Sequence, residues 1–225
     1  MNSPEPVKLL PLLYPILDAG LLRAANIALE DFARELRSAG VRFLQYRDKD
    51  ASDDEVLARA RSLRSIFPAG ETTLILNDRV ELCALAGFDG VHLGQEDMGQ
   101  EDMALERARE LLGRELLGKH RLLGLSTHTP EQVRQAARTS ADYLAIGPVY
   151  PTRSKERPDP VVGLEGVAQA RALTAKPLVA IGGITRENGR AVLDAGADSV
   201  AMISALLPSD RSTGDVIRDI LVNFR

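Results

Sequence analysis

The feature that most limits how this chain can fold is a phrase repeated eight times. A short apolar or β-branched run is followed by a polar break and then by an amphipathic stretch of helical period. The spacing predicts strands over 12–17, 43–47, 73–77, 90–93, 122–126, 143–146, 178–181 and 199–202. No two of them are joined by a two-residue hairpin turn, so helical crossovers and a parallel sheet follow. Most of the runs are apolar without strict alternation, as expected of strands covered on both faces.

Eight such units in 225 residues fit a compact (β/α)8 barrel, read as a single domain over 1–225 with a loose leader over 1–11. A doubly wound open sheet is the structural alternative. Its first strand should enter a glycine-rich phosphate turn, whereas the chain there reads Asp18-Ala19-Gly20-Leu21-Leu22.

Local signals mark the helices. Ile27, Leu29, Phe32, Ala33 and Leu36, ahead of Gly40, predict one helix over 24–39. Ser52 with Glu55 spells a capping box, and Thr129-Pro130-Glu131-Gln132 repeats that logic with proline at the first helical position. Ala86-Gly87-Phe88-Asp89 and Ala195-Gly196-Ala197-Asp198 each end a helix at glycine and turn through Asp into a strand.

Charge narrows the function classes. Lys and Arg total 28 against 32 Asp and Glu, so no broad basic field is available for nucleic acid or an anionic membrane. The lone cysteine, Cys83, excludes an intrachain disulfide, suits a reducing, cytoplasmic setting and reads as a small buried hydrophobe. The apolar run near the N-terminus is too short and too broken for a signal segment or a membrane span. A homo-oligomer is compatible with this composition.

In such a barrel, chemistry gathers at the C-terminal ends of the strands, where eight loops surround one cavity. Gln45-Tyr46-Arg47-Asp48-Lys49 ends the second strand, and alternation aims Gln45 and Arg47 into the mouth with Lys49 on the loop. Arg and Lys together can grip a diphosphate; an exposed, salt-bridged strand end is the equal alternative. Asp78 follows the third strand and Asp97 the fourth, two hard oxygen donors on adjacent loops that suit Mg2+. Asp78 alone also suits a helix cap. Ser126 ends the fifth strand; His128 reads as a loop hydrogen bonder, while His92 and His120 suggest no metal cluster. A long irregular stretch follows the sixth strand and carries Thr152, Arg153, Ser154 and Lys155. Gly182-Gly183 after the seventh strand and Ile203-Ser204 after the eighth make the phosphate cradle found in many barrels.

These motifs together resemble, in order and from about Tyr14 to Leu206, the thiamine-phosphate synthase (thiamine-phosphate pyrophosphorylase) family. The resemblance implies a transferase that condenses 4-amino-5-hydroxymethyl-2-methylpyrimidine diphosphate with a (carboxy)thiazole phosphate, releasing pyrophosphate with the help of Mg2+. It implies that Gln45, Tyr46, Arg47, Asp48, Lys49, Asn77, Ser126 and Lys155 hold the pyrimidine diphosphate. Of these, Arg47, Lys49, Ser126 and Lys155 would be catalytic. Asp78 and Asp97 would hold Mg2+, with Asp97 preferred over Asp102 of the doubled Gly-Gln-Glu-Asp-Met because it directly follows the strand. Thr152, Arg153, Ser154, Gly183, Ile203 and Ser204 would hold the thiazole phosphate. Strand one, Tyr14-Pro15-Ile16-Leu17-Asp18, departs from the family's usual Val-Thr-Asp ending and receives no role. Two alternatives share the scaffold, a thiazole tautomerase and a non-catalytic thiazole-phosphate binder; an intact diphosphate grip speaks against the first.

Overall fold

A computed structural model describes residues 10–94, 101–113, 120–152, 159–208 and 211–224, with only the backbone over 101–104. The expected leader over 1–11 falls mostly outside these residues. The first half of the chain runs β1 (Leu13–Asp18), α1 (Ala19–Ala24), α2 (Leu29–Ser38), β2 (Phe43–Arg47), α3 (Asp53–Ile66), β3 (Thr73–Asn77), α4 (Val80–Leu85) and β4 (Gly90–Leu93). The second half runs α5 (Glu101–Leu112), β5 (Leu122–Thr127), α6 (Pro130–Ala137), β6 (Tyr143–Ile146), α7 (Gly163–Leu173), β7 (Leu178–Ile181), α8 (Gly189–Asp194), β8 (Ser199–Met202) and α9 (Thr213–Asn223). All neighbouring strands pair in parallel, and β8 returns to β1 to close the barrel. The chain is a single (β/α)8 domain.

Six of the eight strands begin and end where the sequence pattern puts them; β1 is shifted by one residue and β5 runs one further. The helix expected over 24–39 starts only at Leu29, as α2, and a separate α1 over Ala19–Ala24 precedes it. Asp18 accepts a hydrogen bond from Leu21 N and so caps a separate α1, while Asn26 takes a positive φ of 54° that stops it. The apolar period of Ile27 and Leu29 carries straight through this break, which is why periodicity alone missed it. Both expected capping boxes form, Ser52 with Glu55 on α3 and Thr129 with Gln132 on α6.

Two apolar layers hold the molecule. Side chains pointing out of the barrel, among them Leu17, Leu44, Leu74, Leu76, Val91 and Leu144, pack under the helices. A smaller interior set of Tyr14, Ile16, Phe43, Ile75, Tyr143, Ala145, Val179 and Ala201 fills the barrel floor. Cys83 is fully buried in the outer layer, and that burial pushes its thiol up to about 12, so it is the inert hydrophobe expected.

The face of the barrel opposite the site is stitched by a device used three times. Asp89, Asp142 and Asp198, in the turns before β4, β6 and β8, each accept a backbone N–H at the start of the preceding strand, from Leu74, Leu123 and Leu178. Each Asp also takes an Arg from the helix before that strand: Arg64, Arg109 and Arg171 respectively. The carboxylate thus ties helix, strand and next turn together, which leaves the opposite rim free to vary. Among the described residues no helix is long and apolar enough to cross a membrane.

Candidate active site

Strand alternation decides which side chains enter the barrel mouth. On β2, Phe43, Gln45 and Arg47 turn inward, and Gln45 and Arg47 line a cavity of about 200 Å³ at the C-terminal rim. Lys49, Asn77, Asp78, His92, Ser126, Thr152, Gly183, Ile203 and Ser204 line the same cavity. Most of the described candidate residues are therefore brought together from the ends of β2, β3, β5, β6, β7 and β8. Asp97, Arg153, Ser154 and Lys155 lie outside the described residues.

The same alternation turns two candidate side chains away from the mouth. Tyr46 and Asp48 point outward, under the helices, and neither lines the cavity. The Asp48 carboxylate is fully buried between Arg23 and Arg59, and Tyr46 donates to it at 3.4 Å. Burial works to raise the Asp48 carboxyl, but hydrogen bonds and charge from the two arginines outweigh it and hold it below the ordinary carboxylate range. Both side chains brace the outside of β2 and hold its end still, turned away from the cavity.

At the β2–β3 arc, Arg47 is ion-paired with Asp18 of β1, so the strand left without a role supplies the guanidinium's partner. Lys49 Nζ stands 4.0 Å from Asp78 Oδ2. Asp78 holds a φ of 63°, a left-handed turn that Asp tolerates better than most residues. Its amide donates to His92 O, its Oδ1 accepts from Gly94 N at 3.3 Å, and Asn77 donates to its Oδ2. The helix-cap alternative fails: α4 begins at Val80, with Arg79 at its cap position and no side-chain cap bond.

The β7–β8 arc is bare main chain. Gly183 has a φ of 62°, and a Cβ placed on it would come within 2.5 Å of Pro151 O. The Gly182 and Gly183 carbonyls are taken by Tyr150 N and Asn188 Nδ2, which fixes the turn. Ser204 opens a single turn of 3-10 helix over Ser204–Leu206 on the same side of the cavity. Between the arcs, His128 Nδ1 lies 2.6 Å from Gly147 O, the loop hydrogen bond expected of it, and its Nε2 lies 3.5 Å from Asp159.

The cavity floor holds what the sequence reading missed. Gln45 Nε2 donates to Tyr14 Oη at 2.9 Å, Tyr14 meets Tyr143 at 2.9 Å, Tyr143 meets His92 Nδ1 at 3.1 Å, and His92 Nε2 meets Ser126 Oγ at 2.9 Å. Burial pushes the His92 imidazole down to about 4, so it is neutral, and pushes both tyrosine hydroxyls up. The missed signal was present. Counting back by two from Ser126 gives Gly124, which pairs in register with His92, and only a glycine there leaves room for an inward ring.

A closed parallel barrel with a glycine-backed main-chain turn at β7–β8 and cations at β2 around one rim cavity places the chain among (β/α)8 barrels with a site at the C-terminal ends of the strands. A family model described as thiamine monophosphate synthase matches residues 13–206. Thiamine-phosphate synthase of Koribacter versatilis is 49% identical over 214 residues, covering 94% of this chain and 96% of that protein. The synthase of Chloroflexus aurantiacus is 38% identical over 201 residues, covering 89% and 87%. Among solved structures, thiamine phosphate pyrophosphorylase from Pyrococcus furiosus superposes with a TM-score of 0.79 at 28% identity, covering 95% of both chains. The chain belongs to the thiamine monophosphate synthase family and is a transferase.

Proposed function

We infer that this chain joins 4-amino-5-hydroxymethyl-2-methylpyrimidine diphosphate to a (carboxy)thiazole phosphate, giving thiamine phosphate and pyrophosphate. The observation that carries this reading is that one cavity has a cationic arc at β2–β3 and a bare main-chain arc at β7–β8, each of a kind that suits an anion. A reaction between two phosphorylated partners needs both. A thiazole tautomerase or a thiazole-phosphate binder has no use for Arg47 and Lys49.

Arg47 and Lys49 grip the diphosphate, the first as a fork and the second as a point charge. The pyrimidine lies over the floor against Gln45 and Ser126, with Asn77 beside it. The thiazole phosphate rests at Gly183, Ile203 and Ser204, with Thr152 closing over it, so the ring nitrogen faces the pyrimidine methylene. The bond from that methylene to the diphosphate oxygen breaks as positive charge builds on carbon, and the thiazole nitrogen then donates its pair to form the new C–N bond. The barrier lies in charge separation, so fixed cations beside the departing diphosphate and the alignment of two reactants supply the catalysis. No protein nucleophile takes part. Lys155 adds to the cations on the diphosphate and Arg153 and Ser154 to the thiazole phosphate side by family resemblance.

The donor set at Asp78 fits Mg2+. A hard carboxylate stands on the rim beside the diphosphate grip, and Mg2+ is ordinarily held by one or two carboxylates together with phosphate oxygens and waters. Asp78 and Asp97 are the residues that would hold it; when bound it neutralises charge on the diphosphate oxygens.

Mixing the protein with both substrates and Mg2+ tests the reading. Pyrophosphate release matched by joined product is the expected result. Conversion of the thiazole alone would mark a tautomerase, and binding without chemistry a sensor.

A further inference from the structure

Of the two cations on the β2–β3 arc, Arg47 ends a strand and is steadied by Asp18, whereas Lys49 stands on the loop over 48–52 between β2 and α3. A lysine on a loop is a weak grip unless its backbone is already held, because binding must otherwise order the loop as well as the side chain. This loop is held from two sides. On the outer side the Asp48 carboxylate takes Arg59 at 2.6 Å and Arg23 at 3.0 Å. On the β3 side the hold comes from Arg79. Its Nη2 donates to Ala51 O at 2.7 Å and, more weakly, to Asp48 O at 3.4 Å, carbonyls on either side of Lys49. Its Nη1 pairs with Asp53 at the start of α3.

Arg79 directly follows Asp78. Its amide donates to Asn77 O at 2.8 Å within the left-handed turn that gives Asp78 its φ of 63°. Its side chain leaves that turn for the neighbouring loop and does not line the cavity. The Arg79 side chain is 24% exposed and that of Asp53 73%, so the ion pair lies in water and contributes little. The carbonyl contacts are the part that needs a planar fork.

Resting on the diphosphate reading above, we propose that Arg79 is a positioning residue whose guanidinium locks the Lys49 loop to the Asp78 turn, so that lysine and carboxylate meet a diphosphate at a fixed spacing. Lys49 Nζ and Asp78 Oδ2 are 4.0 Å apart and attract each other. A loop without its hold on β3 lets the two close into a contact pair turned away from a ligand. A lysine in place of Arg79 keeps the charge but has no fork to reach Asp53 and the carbonyls together. The competing account is a plain field effect, in which any cation near the arc helps an anion bind, whatever its geometry.

Calorimetry of the full chain with pyrophosphate and Mg2+ separates the two, with circular dichroism checking the fold of each variant. Arg79→Ala and Arg79→Lys are each expected to weaken pyrophosphate by on the order of tenfold or more. Wild-type affinity in Arg79→Lys shows that charge suffices and overturns the proposal. Asp53→Asn removes only the surface pair and is expected to bind as the wild type does; a loss matching that of Arg79→Lys overturns the carbonyl hold. A double-mutant cycle tests the route: added to Lys49→Ala, Arg79→Lys is expected to cost less than about threefold, and a full tenfold loss there means that Arg79 does not act through Lys49. Steady-state kinetics should show KM for the pyrimidine diphosphate raised in Arg79→Lys and KM for the thiazole phosphate unchanged; equal rises mark a general loosening and overturn the assignment. Should Arg79→Ala not fold, Arg79→Lys decides every arm. If Lys49→Ala binds pyrophosphate as the wild type does, the diphosphate reading of the arc fails and this proposal with it. A loss in Lys49→Ala with none in the Arg79 variants overturns the proposal alone.

Discussion

Arg47 and His92 show how much one inward-facing side chain can carry. Arg47 is mostly covered and already balanced by Asp18, so its guanidinium is aimed before a ligand arrives. Arg47→Ala is expected to lower kcat by about 10²- to 10³-fold, with circular dichroism unchanged. Steady-state kinetics reading a loss below threefold would remove it from the diphosphate grip. His92 makes a pH prediction. Burial holds it at about 4 against an ordinary 6.5, so between those values the unfolded chain takes up a proton that the folded chain refuses. Its contribution is thus an acid penalty: stability falls as pH drops through 6.5 towards 4, by on the order of 2 kcal/mol at about pH 5. Urea midpoints of wild type and His92→Gln should diverge in that window; parallel pH profiles would contradict a neutral buried ring. Gln45 and Arg47 were legible in the sequence because alternation on one strand suffices. Asp18 and Tyr14 were not, because their importance lies in partners on other strands.

Among the elements, the turns before β4, β6 and β8 hold the barrel's stable face. Asp142 accepts from Leu123 N at 2.7 Å and from Arg109 at 2.9 Å, and neither side chain is more than about a fifth exposed. Asp142→Ala leaves a backbone donor without its acceptor and a largely covered guanidinium without its counter-charge, so chemical denaturation should show a loss of about 2 kcal/mol with kcat little changed. A neutral substitution would show that the triple tie is decorative. Strand positions were read closely from the sequence, since a buried parallel strand leaves an apolar run bounded by glycine and polar residues. The repeated Ala-Gly-x-Asp phrase at two stations was visible too; the third, before β6, reads Ser140-Ala141-Asp142 and hid behind different residues. The break between α1 and α2 was hidden for another reason. An Asn in a left-handed turn and a distant cap from Asp18 leave the hydrophobic period untouched.

For the whole molecule, the fold follows from the eightfold repeat, while the site depends on which loops share a rim. Closure of β8 on β1 brings the β2–β3 and β7–β8 arcs into one cavity with β1 between them, and it sets Asp18 beside Arg47. Sequence could supply the list of rim residues but not the outward turn of Tyr46 and Asp48, which the motif carried along with the inward-facing Gln45 and Arg47. The proposed reaction requires one cavity to hold a diphosphate at β2–β3 and a phosphate at β7–β8 at the same moment. A crystal grown with thiamine phosphate, pyrophosphate and Mg2+ tests it most directly. Pyrophosphate against Arg47 and Lys49 with the metal at Asp78, and the thiamine phosphate anion at Gly183 and Ser204, is the expected result. Pyrophosphate seated at Gly183, or both anions competing for one arc, would contradict it.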